Sequence, residues 1–214
     1  MKKMSKAEAA QVMDLLKETF PDAGPELHFS NPFELLVATI LSAQTTDVQV
    51  NKVTPALFQA YPGPAQLALA SPERVMEMIK SIGFYRNKAK NIVKTAAILV
   101  EKYRGQVPDT MEELVKLPGV GRKTANVVLS NAFHQPAIAV DTHVFRVSNR
   151  IGLSQSQDVL ACEKDLRRIL DSEIWSLAHH LLIFQGRRIC KARNPLCQEC
   201  SLRDHCRFYQ GALQ

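Results

Sequence analysis

Four of the chain's five cysteines crowd into seventeen residues near its C-terminus: Cys190, six residues, Cys197, two residues, Cys200, five residues, Cys206. Thiolates are soft ligands, and four of them hold either a tetrahedral zinc ion or a [4Fe–4S] cube, so ligand number alone does not choose. Zinc ribbons usually present two tight Cys-x-x-Cys pairs, whereas here one pair has two outlying partners. The surrounding tail is too poor in apolar residues to fold unaided, so a bound metal group would order it. The loop thus pinned carries Lys191 and Arg193, placed to touch phosphates. Cys162 stands apart at helical spacing with Val159 and Leu166, and is expected to be a small core residue.

A second group of residues lies mid-chain, where Leu117-Pro118-Gly119-Val120-Gly121-Arg122-Lys123-Thr124-Ala125 separates a short helical pattern from Met111 and an apolar helix to Phe133. Glycine is needed where backbone takes positive φ or comes close to a ligand. The first amides of the second helix lack intrahelical partners, and the helix dipole is positive at that end. The amides of Gly119, Val120 and Gly121 are therefore expected to cradle a phosphate, with Arg122 and Lys123 neutralising it. Pro-Gly alone fits an ordinary helix–turn–helix corner with a glycine cap; the longer string favours the phosphate.

That string resembles a helix–hairpin–helix motif, a binder of DNA backbone without sequence preference. Together with Leu41-Ser42-Ala43-Gln44-Thr45-Thr46-Asp47, Ile138-Ala139-Val140-Asp141-Thr142-His143-Val144 and the cysteine spacing, it makes the chain from about residue 25 to 207 resemble the endonuclease III family. The family's members are DNA glycosylases and abasic-site lyases of the helix–hairpin–helix superfamily. The resemblance implies a [4Fe–4S] cluster on Cys190, Cys197, Cys200 and Cys206. It also implies that Lys123 is the nucleophile, Asp141 its carboxylate partner, and damaged double-stranded DNA the partner of a monomeric enzyme.

The chemistry accounts for the pair. Breaking an N-glycosidic bond builds positive charge on the sugar, which a carboxylate stabilises. A lysine amine attacking C1′ gives an aminal that opens to a Schiff base; the imine acidifies the C2′ proton, and β-elimination breaks the 3′ phosphodiester. The attacking amine must be neutral, and both a helix N-terminus and the neighbouring Arg122 disfavour a second positive charge there. Read alone, Asp141 before Thr142 also fits a helix N-cap. His143 could orient Asp141, contact phosphate or make a structural hydrogen bond. The lesion base must leave the stack first. By resemblance Gln44 fills the vacancy and pairs with the orphaned base, while the residue after the Ile82-Gly83 turn wedges from the other side. The family usually has leucine there and this chain has Phe84, an aromatic able to wedge or else a core residue opening a helix. Asp47 reads as a helix cap.

The elements that must position these groups read as helices nearly throughout. Residues 5–20 set Val12, Leu15, Leu16 and Phe20 at helical spacing before Pro21. Asn31-Pro32 starts an apolar run to Ala43, and Ser71-Pro72 starts a helix that Gly83 closes. Residues 84–103 place Ile92, Ala96, Leu99, Val100 and Tyr103 on one face before Gly105. Pro55 predicts a kink or a restart, and Ala137–Val140 is the one extended stretch. The fold class is all-α: two helical lobes with a DNA-binding groove between them. One lobe is a helical barrel over 25–135 with the hairpin at about 111–133; the other, 1–24 plus 136–214, holds the cluster. Lys123 and Asp141 are expected to face each other across the groove.

With 27 Lys and Arg against 21 Asp and Glu the chain carries a net charge of +6, which favours a polyanionic partner. Its apolar runs fall short of the ~20 residues a membrane span needs, and its charged N-terminus has no apolar signal core, so a cytoplasmic location without a membrane is expected. The implied substrates are oxidised or ring-saturated pyrimidines. Two alternatives are a mismatch glycosylase of the same superfamily without lyase activity, which Lys123 disfavours, and a non-catalytic hairpin module, which leaves the Asp141 segment unexplained.

Overall fold

Ser5 opens the first helix through a reciprocal cap: its hydroxyl accepts the Glu8 amide while the Glu8 carboxylate accepts the Ser5 amide. Helix α1 (Lys6–Thr19) then buries Ala9, Val12, Met13 and Leu16 on one face. The computed structural model describes residues 4–212, and among them every regular element is helical. The chain divides into two compact units, Pro25–Gln135 and the described residues of Met1–Gly24 with Pro136–Gln214.

The unit Pro25–Gln135 contains α2 (Pro32–Ser42), α3 (Asp47–Ala60), α4 (Pro64–Ala68), α5 (Pro72–Met78), α6 (Tyr85–Tyr103), α7 (Met111–Leu114) and α8 (Arg122–Ala132). Asn31 and Ser71 cap α2 and α5, each followed by proline at the first helical position. Helix α2 is buried at Phe33 and from Leu35 to Leu41 and packs against α3, α6 and α8. It is the unit's central element.

Three expectations are sharpened or corrected here. Helix α3 runs as one element across Pro55 rather than restarting there; the buried Val50 and Leu57 anchor both halves, so the single lost hydrogen bond is tolerated. Helix α5 stops at Met78 rather than at Gly83, because the chain turns to bury Ile79 and Ile82, with the Ile82 amide on the Ile79 carbonyl at 2.8 Å. In α6, Ile92, Ala96 and Leu99 are fully buried as expected, but Val100 is 43% exposed.

The other unit packs α1 with α9 (Thr142–Ile151), α10 (Val159–Ile169), α11 (Trp175–Arg188) and α12 (Arg207–Ala212). Its core joins Met13 and Leu16 to Val144, Val147, Leu166 and Leu181, and includes Cys162, as its spacing predicted. Ala137 to Val140 is buried without forming a strand; the Ala139 carbonyl lies 2.8 Å from Nδ1 of buried His179. Among the described residues no helix is long and apolar enough to cross a membrane.

Candidate functional site

Thr110 caps α7, Leu114 and Leu117 are buried, and the chain then turns at Gly119 with φ +80°. A Cβ on Gly119 would lie 3.0 Å from Asn91 Nδ2 and 3.2 Å from Ile40 Cγ2. Both the positive φ and the close floor therefore demand glycine. Gly121 is different. It is the N-cap of α8 at an ordinary φ of −96°, no side chain caps that helix, and a Cβ there would meet nothing within 4 Å. Val120 departs from the expected cradle: its side chain is buried and its amide donates to the Leu117 carbonyl at 3.1 Å. The amides of Gly119 and Gly121 donate to no backbone carbonyl among the described residues. Arg122 and Lys123 follow in the exposed first turn of α8.

Asp141 is the N-cap of α9, and its Oδ1 accepts both the His143 and Val144 amides at 2.8 Å. Capping thus engages one carboxylate oxygen and leaves Oδ2 for other work. The His143 side chain turns elsewhere: Nδ1 lies 3.2 Å from Arg146 Nη2, and the ring abuts Gly186. Only the His143 amide serves Asp141.

Gln44 and Phe84 share an uncommon backbone state, with φ of +55° and +58°. For a bulky aromatic this left-handed conformation costs about 1–3 kcal/mol, and such strain collects at functional sites. Phe84 is 66% exposed, so it is not a core residue opening α6. The two turns are neighbours: the Cβ position of Gly83 lies 3.6 Å from Thr45 Oγ1 and 3.7 Å from the Gln44 carbonyl, ordinary contact distances. Thr46, not Asp47, caps α3; Asp47 is its first helical residue, where a negative charge suits the dipole.

Two residues that no motif marks also belong to this region. Lys88 on α6 is only 5% exposed, and its ammonium donates to the carbonyls of Leu41 and Ala43 and to Thr45 Oγ1 at 2.8, 2.6 and 3.0 Å. Burial pushes its pKa below the usual lysine range. Thr95, one helix face along, donates from Oγ1 to the Pro118 carbonyl at 3.0 Å. The available signal was a lysine four residues before Ile92, on the apolar stripe of α6.

At the C-terminus Cys190, Cys197, Cys200 and Cys206 line one apolar pocket with Ile151, Gln185 and Leu202. Among the described residues no three His, Cys, Asp or Glu side chains converge on a single-ion site, so the thiols surround a space rather than a point. Burial, and after it the thiols of Cys190 and Cys200, raise the Cys197 pKa; burial likewise leads the rise at Cys206. Such a set ionises only with a cationic group among it, and Gln185 Nε2 already points at Cys200 Sγ from 3.1 Å. The residues fit an iron–sulfur cluster. Arg150 holds the loop by donating to the Lys191 and Ala192 carbonyls at 2.7 and 3.0 Å, and Arg146 donates to the Cys190 carbonyl. The side chains of Lys191 and Arg193 stay exposed.

Residues 37–172 match the model of the HhH-GPD superfamily base excision DNA repair protein, and residues 190–206, from first cysteine to last, match the iron–sulfur binding domain of endonuclease III. Endonuclease III of Bacillus subtilis is 56% identical, covering 91% of this chain and 90% of its own. Endonuclease III of Escherichia coli is 46% identical over 96% and 97%. Among solved structures, a trapped endonuclease III–DNA covalent intermediate, an estranged-adenine complex, superposes with a TM-score of 0.92 at 50% identity, covering 99% of this chain and all of that one. A thermostable thymine-DNA glycosylase shares the fold, with a TM-score of 0.86 over 96% and 98%, at only 23% identity. The two matches span the hairpin, the Asp141-capped helix and the cysteine loop, and the chain belongs to the endonuclease III family.

Proposed function

We propose that this DNA-binding base-excision repair glycosylase and abasic-site lyase removes oxidised or ring-saturated pyrimidines from duplex DNA through Lys123. The amides of Gly119 and Gly121 hold a phosphate, with Arg122 adding charge. Gln44 and Phe84 enter the duplex where the lesion base has left it. The Lys123 amine then bonds to C1′ as the N-glycosidic bond breaks, and Asp141 stabilises the positive charge that develops on the sugar. The base departs with its bonding electrons and a proton. The aminal opens to a Schiff base, C2′ loses a proton, and the C3′–O bond breaks by β-elimination. Four cysteines hold a [4Fe–4S] cluster that orders the loop bearing Lys191 and Arg193, which touch further phosphates.

The observation that carries this reading is an exposed lysine in the first turn of α8, behind a glycine N-cap with open space before it. The trapped covalent complex of a 50% identical relative supports a covalent route. Duplexes carrying a ring-saturated thymine, a mismatched adenine or thymine, or no lesion test it. Base release with strand cleavage from the first alone is expected. Release from a mismatch without strand cleavage would point to the monofunctional alternative.

A further inference from the structure

Helix α2 ends on a turn that leaves two carbonyls over. After its C-cap, Ala43 (φ −57°, ψ 115°), the left-handed Gln44 brings the Thr45 amide to the Ser42 carbonyl at 3.0 Å, but no backbone amide takes the carbonyls of Leu41 and Ala43. Those carbonyls go instead to a lysine from another helix. The Lys88 ammonium accounts for Leu41 and Ala43 and reaches on to Thr45 Oγ1. Its charge lies at the negative end of the α2 dipole, the favourable end for a cation. Gln44, between two of these anchors, is driven to φ +55°.

The same lysine sits four residues beyond Phe84, in the first turn of α6, and its amide donates to the Phe84 carbonyl at 3.1 Å. The two strained turns are neighbours at Gly83, whose Cβ position lies 3.6 Å from Thr45 Oγ1 and 3.7 Å from the Gln44 carbonyl, and Gln49 Nε2 donates to Ser81 Oγ at 2.8 Å across the same gap. Lys88, Asn91 and Thr95 follow at three- and four-residue spacing along one face. The first holds the Gln44 turn, the second floors Gly119, and the third holds Pro118.

We propose that Lys88 is a positioning residue for base extrusion: its buried ammonium locks the Gln44 and Phe84 turns into one rigid unit that enters the duplex together. The inference rests on the reading of Gln44 and Phe84 given above. A buried cation with three short hydrogen bonds is a costly way to end a helix that glycine could end. What it adds is register between two turns whose exposed side chains must arrive at one base step. Lys88 touches no DNA in this account and acts only through Gln44 and Phe84.

The test uses Lys88→Met and Lys88→Arg in the full protein, with Gln44→Ala as the reference. The duplex carries a ring-saturated thymine with 2-aminopurine beside it, whose fluorescence rises on unstacking. Lys88→Met should lose most of that rise and slow single-turnover base release about tenfold to a hundredfold, the scale of a lost charged hydrogen-bond set. Its affinity for undamaged duplex should stay within about twofold, because phosphate contacts are elsewhere. The double variant with Gln44→Ala should be no slower than the slower single, as non-additive coupling requires. Lys88→Arg should recover part of the rise. Full fluorescence and rate in Lys88→Met, with Gln44→Ala impaired, would overturn the role of Lys88 alone. An unimpaired Gln44→Ala would overturn the reading beneath it as well. Thr45→Val, which removes one acceptor only, should shift both readouts in the same direction and serves where Lys88→Met does not fold.

Discussion

Gly119 and Gly121 are two residues apart, yet they answer to different masters, and alanine at each separates folding from binding. At Gly119 alanine must adopt φ +80°, which costs an L residue about 1–2 kcal/mol. Its methyl must also push Asn91 Nδ2 or Ile40 Cγ2 back from 3.0 and 3.2 Å. Gly119→Ala should therefore lower Tm by roughly 2–8 °C, at about 2–4 °C per kcal/mol for a chain of this size. At Gly121 the backbone suits any residue and the methyl meets only open space. Alanine is a poorer N-cap than glycine but restricts the unfolded chain by about 0.4–1 kcal/mol, so the terms offset and stability should change by no more than about 0.5 kcal/mol. If the Gly121 amide binds phosphate, the methyl blocks the approach and removes a hydrogen bond to a charged group, about 1.5–3 kcal/mol or roughly tenfold to a hundredfold in Kd. Calorimetry and fluorescence anisotropy with undamaged duplex read the two quantities. Parental affinity in Gly121→Ala would refute the hairpin as a phosphate cradle.

Asp141→Asn should keep the fold, because asparagine caps a helix about as well as aspartate; Tm within about 2 °C, with base release slowed at least about a hundredfold, is the expected pair of results. Lys191→Ala with Arg193→Ala should flatten the log–log salt dependence of binding by up to about two units, near one per lost phosphate contact; an unchanged slope would leave the cysteine loop purely a scaffold. Purified protein should be yellow-brown with broad absorption near ~400 nm and about four iron atoms per chain. Stripping the iron should raise hydrogen exchange across 190–206. One zinc and no iron would contradict the cluster.

The candidate site could be proposed from sequence because its residues carry local, pattern-level signals. The hairpin glycines, Lys123, Asp141 and the cysteines stand in short strings whose types are costly or useless elsewhere. Helix starts at Asn31-Pro32 and Ser71-Pro72 were equally readable, because a cap is a local hydrogen bond followed by a fixed φ. The residues that hold these strings in place were not. Lys88 meets Leu41 across forty-seven residues of chain, Thr95 meets Pro118 across twenty-three, and Arg150 meets Lys191 across forty-one. Such pairings depend on how helices pack and leave no periodic trace. The turn's own bond from the Val120 amide to the Leu117 carbonyl was hidden for a related reason, since sequence does not tell an engaged amide from a free one in a glycine-rich turn. Gly83 looked like a helix stop, whereas α5 has already ended at Met78 and the chain buries Ile79 and Ile82 before reaching it.

The central claim is that Lys123 forms the covalent bond to sugar. Borohydride should reduce the Schiff base between the protein and a lesion-bearing duplex, and mass mapping of the digested adduct should place the DNA remnant on Lys123. Lys123→Gln should give no adduct while binding duplex within about threefold of the parent, since one lost phosphate-side charge is the most it removes. An adduct on any other residue, or full trapping in Lys123→Gln, would contradict the account.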